Sequence, residues 1–409
     1  MTFRFEPKLN PAIHDQFVQD HLLANLSQLS SWGQVKQEWD KQYVGLYQED
    51  TLVASAQCYI KKLPLGFKVM YITKGPILDY ADYDISKEFF KHLTQYIKHQ
   101  RIVFIRIDPE IVINQANHHE FTPYLNKKHP IISYLNSLGF KHNGFGLGLY
   151  DYAQARFVMK LHYSSDWFEN LRKDTKKSIQ SALNYNVQIE KISKDEFDRF
   201  AAIMKMTETR KGIGLRNKDY FMRMKQEFPD DSLILIAKVD LKYTIDKEKI
   251  KLEALEKKAK SLDPSSKKLK QIKQQITAAV NEIQLLTKLR AIYGGHVDIG
   301  CMFSIGVGKT LDILYSGFDD RYKTFKSPFL LRKYTIDWGF KQGYEVINFG
   351  GVPGTLDDGL TMYKSGYNPT VIEYIGEFDY VSKRLVYFLM TTIWPFVKKI
   401  MLKKKRASL

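Results

Sequence analysis

Two polar residues stand where their types and surroundings permit chemistry. Lys36 follows an aromatic turn that contains Trp32, and its ammonium group is a mobile point charge suited to a phosphate. Asp108 stands where an apolar strand meets Pro109, a position from which a carboxylate can accept a proton or orient an amine. Each residue has a plainer interpretation, a surface lysine and a turn-forming aspartate respectively. The residues alone leave both interpretations open.

Motifs of several other chemistries do not occur in the sequence. No Cys/His spacing typical of a metal site is present, and the adjacent His118 and His119 do not favour one shared metal ion. Neither a Walker loop nor a G-x-S-x-G nucleophile motif occurs. Residues 144–148 are glycine-rich but lack the context of a dinucleotide site, which indicates a turn. We therefore expect no metal and no cofactor.

Composition sets the broad class. The 409 residues are 44% hydrophobic and carry a net charge of +17. Such a chain has room for two or three well-buried domains, and its charge favours nucleic acid, anionic lipid or a phosphorylated substrate. Cys58 and Cys301 stand alone in strand-like runs, so we expect small core residues rather than a disulfide or a metal pair. This cysteine usage and the polar N-terminus predict a cytoplasmic protein.

Residues 241–290 predict a helical arm. Apolar residues recur at alternating three- and four-residue steps on two limbs, and Pro264 breaks the helix between them. This stepping predicts an antiparallel coiled coil with limbs of about 22 residues, roughly 33 Å long. The segment contains thirteen Lys and Arg against six Asp and Glu. A basic arm favours RNA contact, and a solvated hairpin or a dimer contact is the alternative.

The C-terminal segment, residues 383–409, predicts a basic amphipathic tail. Its uncharged stretch at 385–397 is too short to cross a bilayer, which needs about 20 residues. Lysines and arginines flank that stretch on both sides. Aromatic residues within basic flanks favour an anionic membrane surface, with a helix packed on the body as the alternative.

Strand and helix signals alternate through the rest of the chain in two comparable rounds. Residues 1–150 form the first round, and residues 151–369 form the second. The arm separates a strand at 233–239 from its partner strand at 292–303, so it is an insertion at a hairpin tip. This order predicts an α/β (α+β) fold of two similar domains. We expect residues of about 370–409 to complete the first domain.

Several segments resemble the Fem aminoacyltransferases. Residues 31–36 (SWGQVK) resemble the family's early W-x-x-x-K signature. Residues 358–367 (DGLTMYKSGY) are similar to the family's G-L-x-x-F-K-x-G-F segment. Residues 373–379 (EYIGEFD) are similar to the segment that ends the family's pattern. Shorter likenesses lie at residues 107–109, 315–317 and 348–351. The similarity spans nearly the whole chain, and its length and basic tail look most like the MurM and MurN branch.

The resemblance implies both a fold and an activity. It implies two GNAT-like domains with the arm inserted in the second. It also implies transfer of alanine, serine or glycine from aminoacyl-tRNA to a stem-peptide amino group of lipid II, at the inner face of the plasma membrane. Because the ester to tRNA is already activated, such an enzyme works by positioning its substrates and needs no ATP or metal.

Substrate-binding residues follow from the same segments. The resemblance implies that Trp32 and Lys36 contact the precursor, and that Arg210 holds its diphosphate, for which guanidinium geometry is suited. It also implies substrate contact for Tyr315. Gly350 would let the backbone approach the substrate closely.

The resemblance also implies catalytic residues. Lys364 is expected to stabilise the oxyanion that forms when an amine attacks the ester carbonyl. Tyr363 stands beside it in place of the family's usual phenylalanine. Asp108 is expected to assist proton transfer.

Two other functions remain open at this point. One is an acyl-CoA-dependent GNAT acyltransferase, which would need a pyrophosphate-binding Q/R-x-x-G-x-G/A loop that neither half contains. The other is a non-catalytic protein of the same fold that binds tRNA and membrane.

Overall fold

Two mixed β-sheets form the body of the protein. The computed structural model describes residues 2–126, 128–212, 214 and 216–393, and in these ranges each sheet has eight strands. In chain order the strands are β1 (Phe3–Glu6), β2 (Asp40–Gln48), β3 (Thr51–Lys62), β4 (Lys68–Ile72), β5 (Ile77–Leu78), β6 (Ile102–Ile107), β7 (Val112–Asn117), β8 (Phe140–His142), β9 (Phe157–His162), β10 (Gln188–Lys191), β11 (Ser232–Asp240), β12 (His296–Val307), β13 (Thr310–Phe318), β14 (Val346–Val352), β15 (Thr370–Tyr374) and β16 (Phe378–Val381).

Helices pack around these sheets. In the described ranges they are α1 (Pro11–Asp20), α2 (Ser30–Val35), α3 (Tyr83–Ile97), α4 (Pro130–Ser137), α5 (Lys173–Asn184), α6 (Phe197–Lys211), α7 (Lys218–Glu227), α8 (Leu241–Lys260), α9 (Lys267–Tyr293), α10 (Ser327–Lys341), α11 (Gly359–Ser365) and α12 (Arg384–Phe388). Helix α3 shows why these segments are helical. Asp82 caps its first turn, and Phe89, Leu93 and Ile97 recur at four-residue steps on the buried face.

The two sheets exchange strands. The first sheet has the order β1-β2-β3-β4-β6-β16-β8, with β5 as its eighth strand paired to β3, and the second has the order β10-β11-β12-β13-β14-β9-β15-β7. Strand β7, which belongs to residues 1–150, therefore pairs with β15 in the second sheet. Strand β16, which follows residue 369, pairs with β6 and β8 in the first sheet. The expected boundary at residue 150 does not separate the sheets for this reason. The division into domains 1–150 and 151–369 stays a prediction.

A shared apolar core joins the N-terminal helices to the second sheet. Val18 of α1 and Val35 of α2 belong to the same buried cluster as Phe200 of α6 and Phe303 of β12. Burying these side chains stabilises the association of the two halves, at roughly 25 cal/mol per Å² of apolar surface. The core therefore fixes α2 against the second sheet, although α2 precedes the first hairpin. Both cysteines are free and buried in the apolar cores, as expected.

Two irregular strands open the second sheet. Strands β13 and β14 are parallel and pair from Thr310 to Asp312, where Asp312 faces Asn348. Beyond that pair, β13 has a register shift against β12 and β14 has one against β9. A bulge bends a strand and breaks its regular pairing. The space between β13 and β14 after Asp312 therefore becomes available for a site.

The helical arm lies where the sequence places it. Helices α8 and α9 follow β11 and precede β12, and the turn between them contains Pro264. Leu269, Ile272 and Ala279 are buried on α9, and every other apolar seam position is buried or partly buried. The side chains therefore follow the predicted seam. The coiled-coil geometry itself stays a prediction.

Candidate active site

A cavity of about 310 Å³ lies between the two sheets. Four of the predicted substrate-binding residues, Trp32, Lys36, Tyr315 and Gly350, line it. The first pair comes from α2 and the residue after it, and the second pair from the opened strands β13 and β14. We call this space the central cavity. Residues that are more than 270 positions apart in the sequence thus meet at one place.

Lys36 is held by aromatic side chains. Its Nζ donates a hydrogen bond of 2.8 Å to the hydroxyl of Tyr220, and it lies 4.9 Å from the ring centre of Trp32 and 5.0 Å from that of Tyr220. Burial, and then the nearby Arg216, lower the pKa of Lys36 to about 8, while Glu38 acts in the opposite direction. Among the described residues, no carboxylate is in hydrogen-bond contact with Lys36. Such an ammonium group is well suited to a phosphate group of a substrate.

Arg216 extends this cationic corner. Its guanidinium lies 4.9 Å from the ring centre of Tyr220, and Tyr220 in turn packs edge-on at 6.4 Å from Tyr315. Arg216 also lines a neighbouring cavity of about 150 Å³ together with Trp32 and Lys36. Two cations and three aromatic rings therefore lie close together where Trp32 and Lys36 line both cavities.

Asp108 lies behind the cavity wall. It is 4% exposed, and its Oδ1 accepts a 2.6 Å hydrogen bond from the backbone N–H of Lys74. The Lys74 ammonium group lies 3.9 Å from Oδ2 of the same carboxylate. Burial raises the pKa of Asp108 to about 7, and Lys74 opposes that rise. Asp108 thus positions Lys74, and it is Lys74 that lines the cavity.

Charged side chains from both sheets meet at the base of the cavity. Lys74 lies 3.9 Å from Glu110, which lies 3.9 Å from Lys160 of β9. Both lysines also face the ring of Tyr374, at 4.7 and 5.6 Å from its centre. We call Lys74, Asp108, Glu110, Lys160 and Asp312 the charged base.

Asp312 is the member of the charged base that β13 contributes to the cavity lining. Its Oδ1 accepts a 2.7 Å hydrogen bond from Nδ2 of Asn348, whose own Oδ1 accepts one of 2.9 Å from the N–H of Gly350. Burial raises the pKa of Asp312 to about 6; Lys160 opposes the rise and Glu110 adds to it. A carboxylate with a raised pKa in a cavity is suited to accept a proton near neutral pH.

A family comparison covers the region that contains this site. The model described as FemAB family matches residues 9–394. The chain belongs to the FemAB family. The matched region contains the central cavity and every residue of the charged base.

Relatives of this FemAB-family chain cover most of its length. Aminoacyltransferase FemB of Staphylococcus epidermidis is 26% identical over 366 residues, which cover 86% of this chain and 88% of the relative. Lipid II:glycine glycyltransferase of Staphylococcus haemolyticus is 24% identical over 416 residues, which cover 96% of each chain. The crystal structure of FemX matches with a TM-score of 0.74 and 23% identity over 95% of this chain and 99% of that one. The predicted family, the mixed α/β fold and the transferase class are confirmed, whereas the GNAT-like character of the domains and closeness to the MurM and MurN branch stay predictions.

Lys364 lies directly behind the cavity wall in this FemAB-family protein. It belongs to α11, whose first turn is capped by Asp358. Lys364 is 5% exposed, and its Nζ donates a 2.7 Å hydrogen bond to the carbonyl of Gly351, a lining residue. A Cβ placed on Gly350 would lie 3.9 Å from the same Nζ. The ammonium group therefore lies behind Gly350 and Gly351, which we call the glycine pair. Its role in oxyanion stabilisation stays a prediction.

Tyr363 and Arg210 are placed away from the cavity. The hydroxyl of Tyr363 donates to the carbonyl of Pro328, and its ring packs edge-on against Phe329. Tyr363 therefore fixes α11 against α10, and the catalytic role expected of it stays a prediction. Arg210 lies over the ring of Phe318 at 4.1 Å and 3.6 Å from Asp320. In the described residues Arg216, rather than Arg210, is the arginine beside Lys36.

Sequence reasoning missed most of the charged base and Arg216. Lys74 stands in a Lys-Gly-Pro segment that reads as a turn, and Asp312 and Lys160 stand within apolar strands. A charged residue inside an otherwise apolar strand is the signal that could have found Asp312 and Lys160, because burying a charge is costly unless it is compensated. Arg216 follows Arg210 by six residues, and nothing in a single sequence distinguishes them.

The predicted C-terminal tail is described only in part, because residues 394–409 lie outside the described ranges. Helix α12 presents Leu385 at 73% and Phe388 at 52% exposure. Across the described ranges, no helix has the length and apolar character needed to cross a membrane.

Proposed function

We propose that this FemAB-family enzyme transfers alanine, serine or glycine from aminoacyl-tRNA to a stem-peptide amino group of lipid II. The relatives named aminoacyltransferase and lipid II:glycine glycyltransferase support the substrate class. The observation that carries the proposal is that two chemically different groups line the central cavity. Lys36 with its aromatic neighbours forms one group, and Lys74, Glu110 and Asp312 of the charged base form the other.

The two groups suit the two parts of the acceptor. The diphosphate of lipid II would bind near Lys36 and Arg216, because cations at a partly buried site favour phosphate. The stem peptide would extend along β13 past Tyr315, and its amino group would reach the charged base. In this arrangement Trp32 and Tyr315 supply flat apolar surfaces on either side of the acceptor.

The aminoacyl ester would enter beside the glycine pair. Gly350 has φ +77°, in the left-handed region that glycine adopts without strain, and it lines the cavity without a side chain of its own. The amine attacks the ester carbonyl, and the deprotonated tRNA hydroxyl leaves. Lys364, behind the glycine pair, stabilises the negative charge of the tetrahedral intermediate through the low-dielectric wall.

The helical arm is proposed to bind the tRNA body. Three lysines near the end of α8, Lys257, Lys258 and Lys260, and three near the start of α9, Lys267, Lys268 and Lys270, are exposed on both sides of the turn. Twenty helical residues place this tip about 30 Å from the sheet. A cluster of exposed cations at that distance attracts a polyanion without entering the site.

The tail is proposed to hold the enzyme at an anionic membrane, where lipid II is located. Exposed Leu385 and Phe388 beside Lys383 and Arg384 give an apolar face with a basic border. Flotation with vesicles of 30% anionic lipid should retain the full chain and lose a form truncated after Val381. Equal flotation of the two forms would remove the tail from membrane binding.

One assay tests the activity directly. The protein is incubated with charged tRNA and purified lipid II, and the lipid product is weighed by mass spectrometry. A gain of one amino-acid residue supports the proposal, and uncharged tRNA gives the control. A gain only with an acyl-CoA would assign the enzyme to a different group of acyltransferases.

A further inference from the structure

Asp312 differs from the other carboxylates of the charged base in the partners it has. Glu110 lies 3.9 Å from two lysines, and Asp108 lies 3.9 Å from one. In the described part of the chain, no lysine or arginine nitrogen lies within 4.0 Å of Asp312. Within the described ranges, the one hydrogen-bond partner of its side chain is a neutral amide, that of Asn348. Asp312 is therefore a cavity carboxylate without a bound counter-ion.

The charged base is also unbalanced as a group. Its three carboxylates face two lysines when all are ionised. Partly buried charges are stabilised when they are paired and hydrogen-bonded, so one further cation would complete the group. The cavity is open beside Asp312, and a primary ammonium group carries both the charge and the hydrogen-bond donors that fit there.

The backbone fixes the direction of this carboxylate. Asp312 and Asn348 form the last pair of β13 with β14, immediately before the strands separate. The N–H of Gly350 holds the Asn348 amide, and that amide holds Oδ1 of Asp312. This chain of hydrogen bonds sets the rotamer of the acid as second-layer contacts do in other sites.

We propose that Asp312 binds the primary ammonium group of the acceptor in the central cavity and accepts one of its protons as the amine attacks. The inference rests on the proposed function for the identity of the reaction. The ammonium group gives one proton to Asp312, and the nitrogen lone pair then forms the C–N bond with the ester carbonyl carbon. The C–O bond to tRNA breaks, and the second proton lost by nitrogen goes to the leaving oxygen. Asp312 returns its proton to water.

The groups that face Asp312 set its pKa and therefore the pH range in which it can accept the proton. Lys160 on β9 favours the ionised acid, whereas Glu110 after β6 and the burial of the site oppose it; Lys74 adds a smaller favourable effect. Tyr374 on β15 faces the same space. Because burial raises the pKa of Asp312 to about 6, the fraction able to accept a proton increases as pH rises through 6.

The first test uses the isosteric variant Asp312→Asn, which keeps an oxygen for the Asn348 amide and removes the charge. We expect kcat/KM for the acceptor to fall about 100-fold or more, which is the usual range for loss of a general base. The acidic limb of the wild-type pH profile should disappear, and Asp312→Glu should restore part of the activity. Asp337→Asn, an exposed acid on α10, is the matched control. A full-activity Asp312→Asn with an unchanged acidic limb would overturn the proposal.

The α-amino group of the aminoacyl donor is also a primary amine. The KM values for lipid II and for charged tRNA show which of the two amines Asp312 binds. An increased KM for lipid II with an unchanged KM for charged tRNA supports the acceptor assignment. An increased KM for the donor alone would overturn it. N-acetylated aminoacyl-tRNA should retain its dependence on Asp312.

A binding experiment separates this inference from the proposed function. Calorimetry compares a lysine-containing stem peptide with its Nε-acetylated form on the full chain. We expect the wild type to bind the free amine at least tenfold more tightly, and Asp312→Asn to lose that preference. Equal binding of the two peptides by the wild type would overturn the ammonium site alone. Absence of amino-acid transfer with the preference intact would overturn the proposed function alone.

Discussion

The central cavity and the tip of the helical arm both present lysines, and the two regions hold them differently. In the cavity, Lys36 and Lys74 are partly buried and each has fixed partners within 4 Å. At the tip, Lys257, Lys258 and Lys260 are exposed. Buried charges act through position and are screened little by salt, whereas exposed charges act over distance and are screened strongly. Substitutions in the two regions should therefore differ both in size and in salt dependence.

The largest effect is expected for Lys364→Met. This change removes the ammonium group behind the glycine pair, and loss of one oxyanion-stabilising donor costs about 100- to 1000-fold in kcat. It also leaves the Gly351 carbonyl without its 2.7 Å donor, which should lower the free energy of unfolding by about 1–3 kcal/mol. Turnover is measured at a temperature where circular dichroism shows the variant folded. Lys333→Met on the surface of α10 is the control, and normal kcat in folded Lys364→Met would remove Lys364 from the mechanism.

A somewhat smaller effect is expected for Lys36→Met. Loss of a charged hydrogen bond to phosphate costs about 1.5–3 kcal/mol, so kcat/KM for lipid II should fall about 10- to 100-fold through KM. Because the pKa of Lys36 is lowered to about 8, its cationic form decreases as pH rises through 8, and wild-type affinity for lipid II should fall over the same interval. The variant should lack this alkaline decrease. Lys91→Met on α3 is the control, and an unchanged KM in Lys36→Met would contradict a phosphate contact.

The cavity and the arm also differ in how far the sequence could predict them. The arm is a local pattern: its seam, its proline break and its basic faces lie within fifty consecutive residues, and the structure has helices at those positions. Helix α3 and strand β6 were predictable for the same reason, since period and burial are local properties. The exchange of β7 and β16 between sheets was not, because it depends on pairing between segments more than 230 residues apart.

The candidate site shows the same difference between local patterns and long-range packing. Trp32, Lys36, Tyr315 and Gly350 were found through family resemblance, and all four line the cavity. The charged base was largely missed because Lys74, Glu110, Lys160 and Asp312 come from four separate segments, and each reads as a turn or a strand residue by itself. Only the packing of two sheets brings Glu110 within ion-pair distance of Lys74 and Lys160, and places Asp312 in the lining of the same cavity. Tyr363 shows the converse case, a residue in a recognisable segment whose hydroxyl contacts the Pro328 carbonyl of α10.

A moderate, salt-dependent effect is expected at the arm. Replacing Lys257, Lys258 and Lys260 by glutamate should weaken tRNA binding about tenfold at low salt and reduce the slope of log affinity against log salt by about 2–3. The KM for lipid II should not change, because the tip is about 30 Å from the sheet. Glutamates at the exposed Lys87, Lys91 and Lys98 of the α3 region give a charge-matched control. Equal tRNA affinity and equal salt slopes in both triple variants would exclude the tip as a tRNA contact.

The smallest effect is expected for Gly350→Ala, and it has a close control in the same chain. Gly350 has φ +77° and Gly343 has φ +90°, so alanine is strained at both positions and should cost about 1 kcal/mol of stability at each. A Cβ at Gly350 would meet only the Ile313 carbonyl at 3.7 Å and the Lys364 Nζ at 3.9 Å, and one at Gly343 would meet nothing within 4 Å. Because Gly350 lines the cavity, we expect a severalfold loss of kcat/KM there and none for Gly343→Ala. Thermal unfolding checks the first expectation and the transfer assay checks the second. If both variants lost activity in proportion to stability, the glycine would matter only for the backbone, and the close approach of substrate to β14 would be excluded.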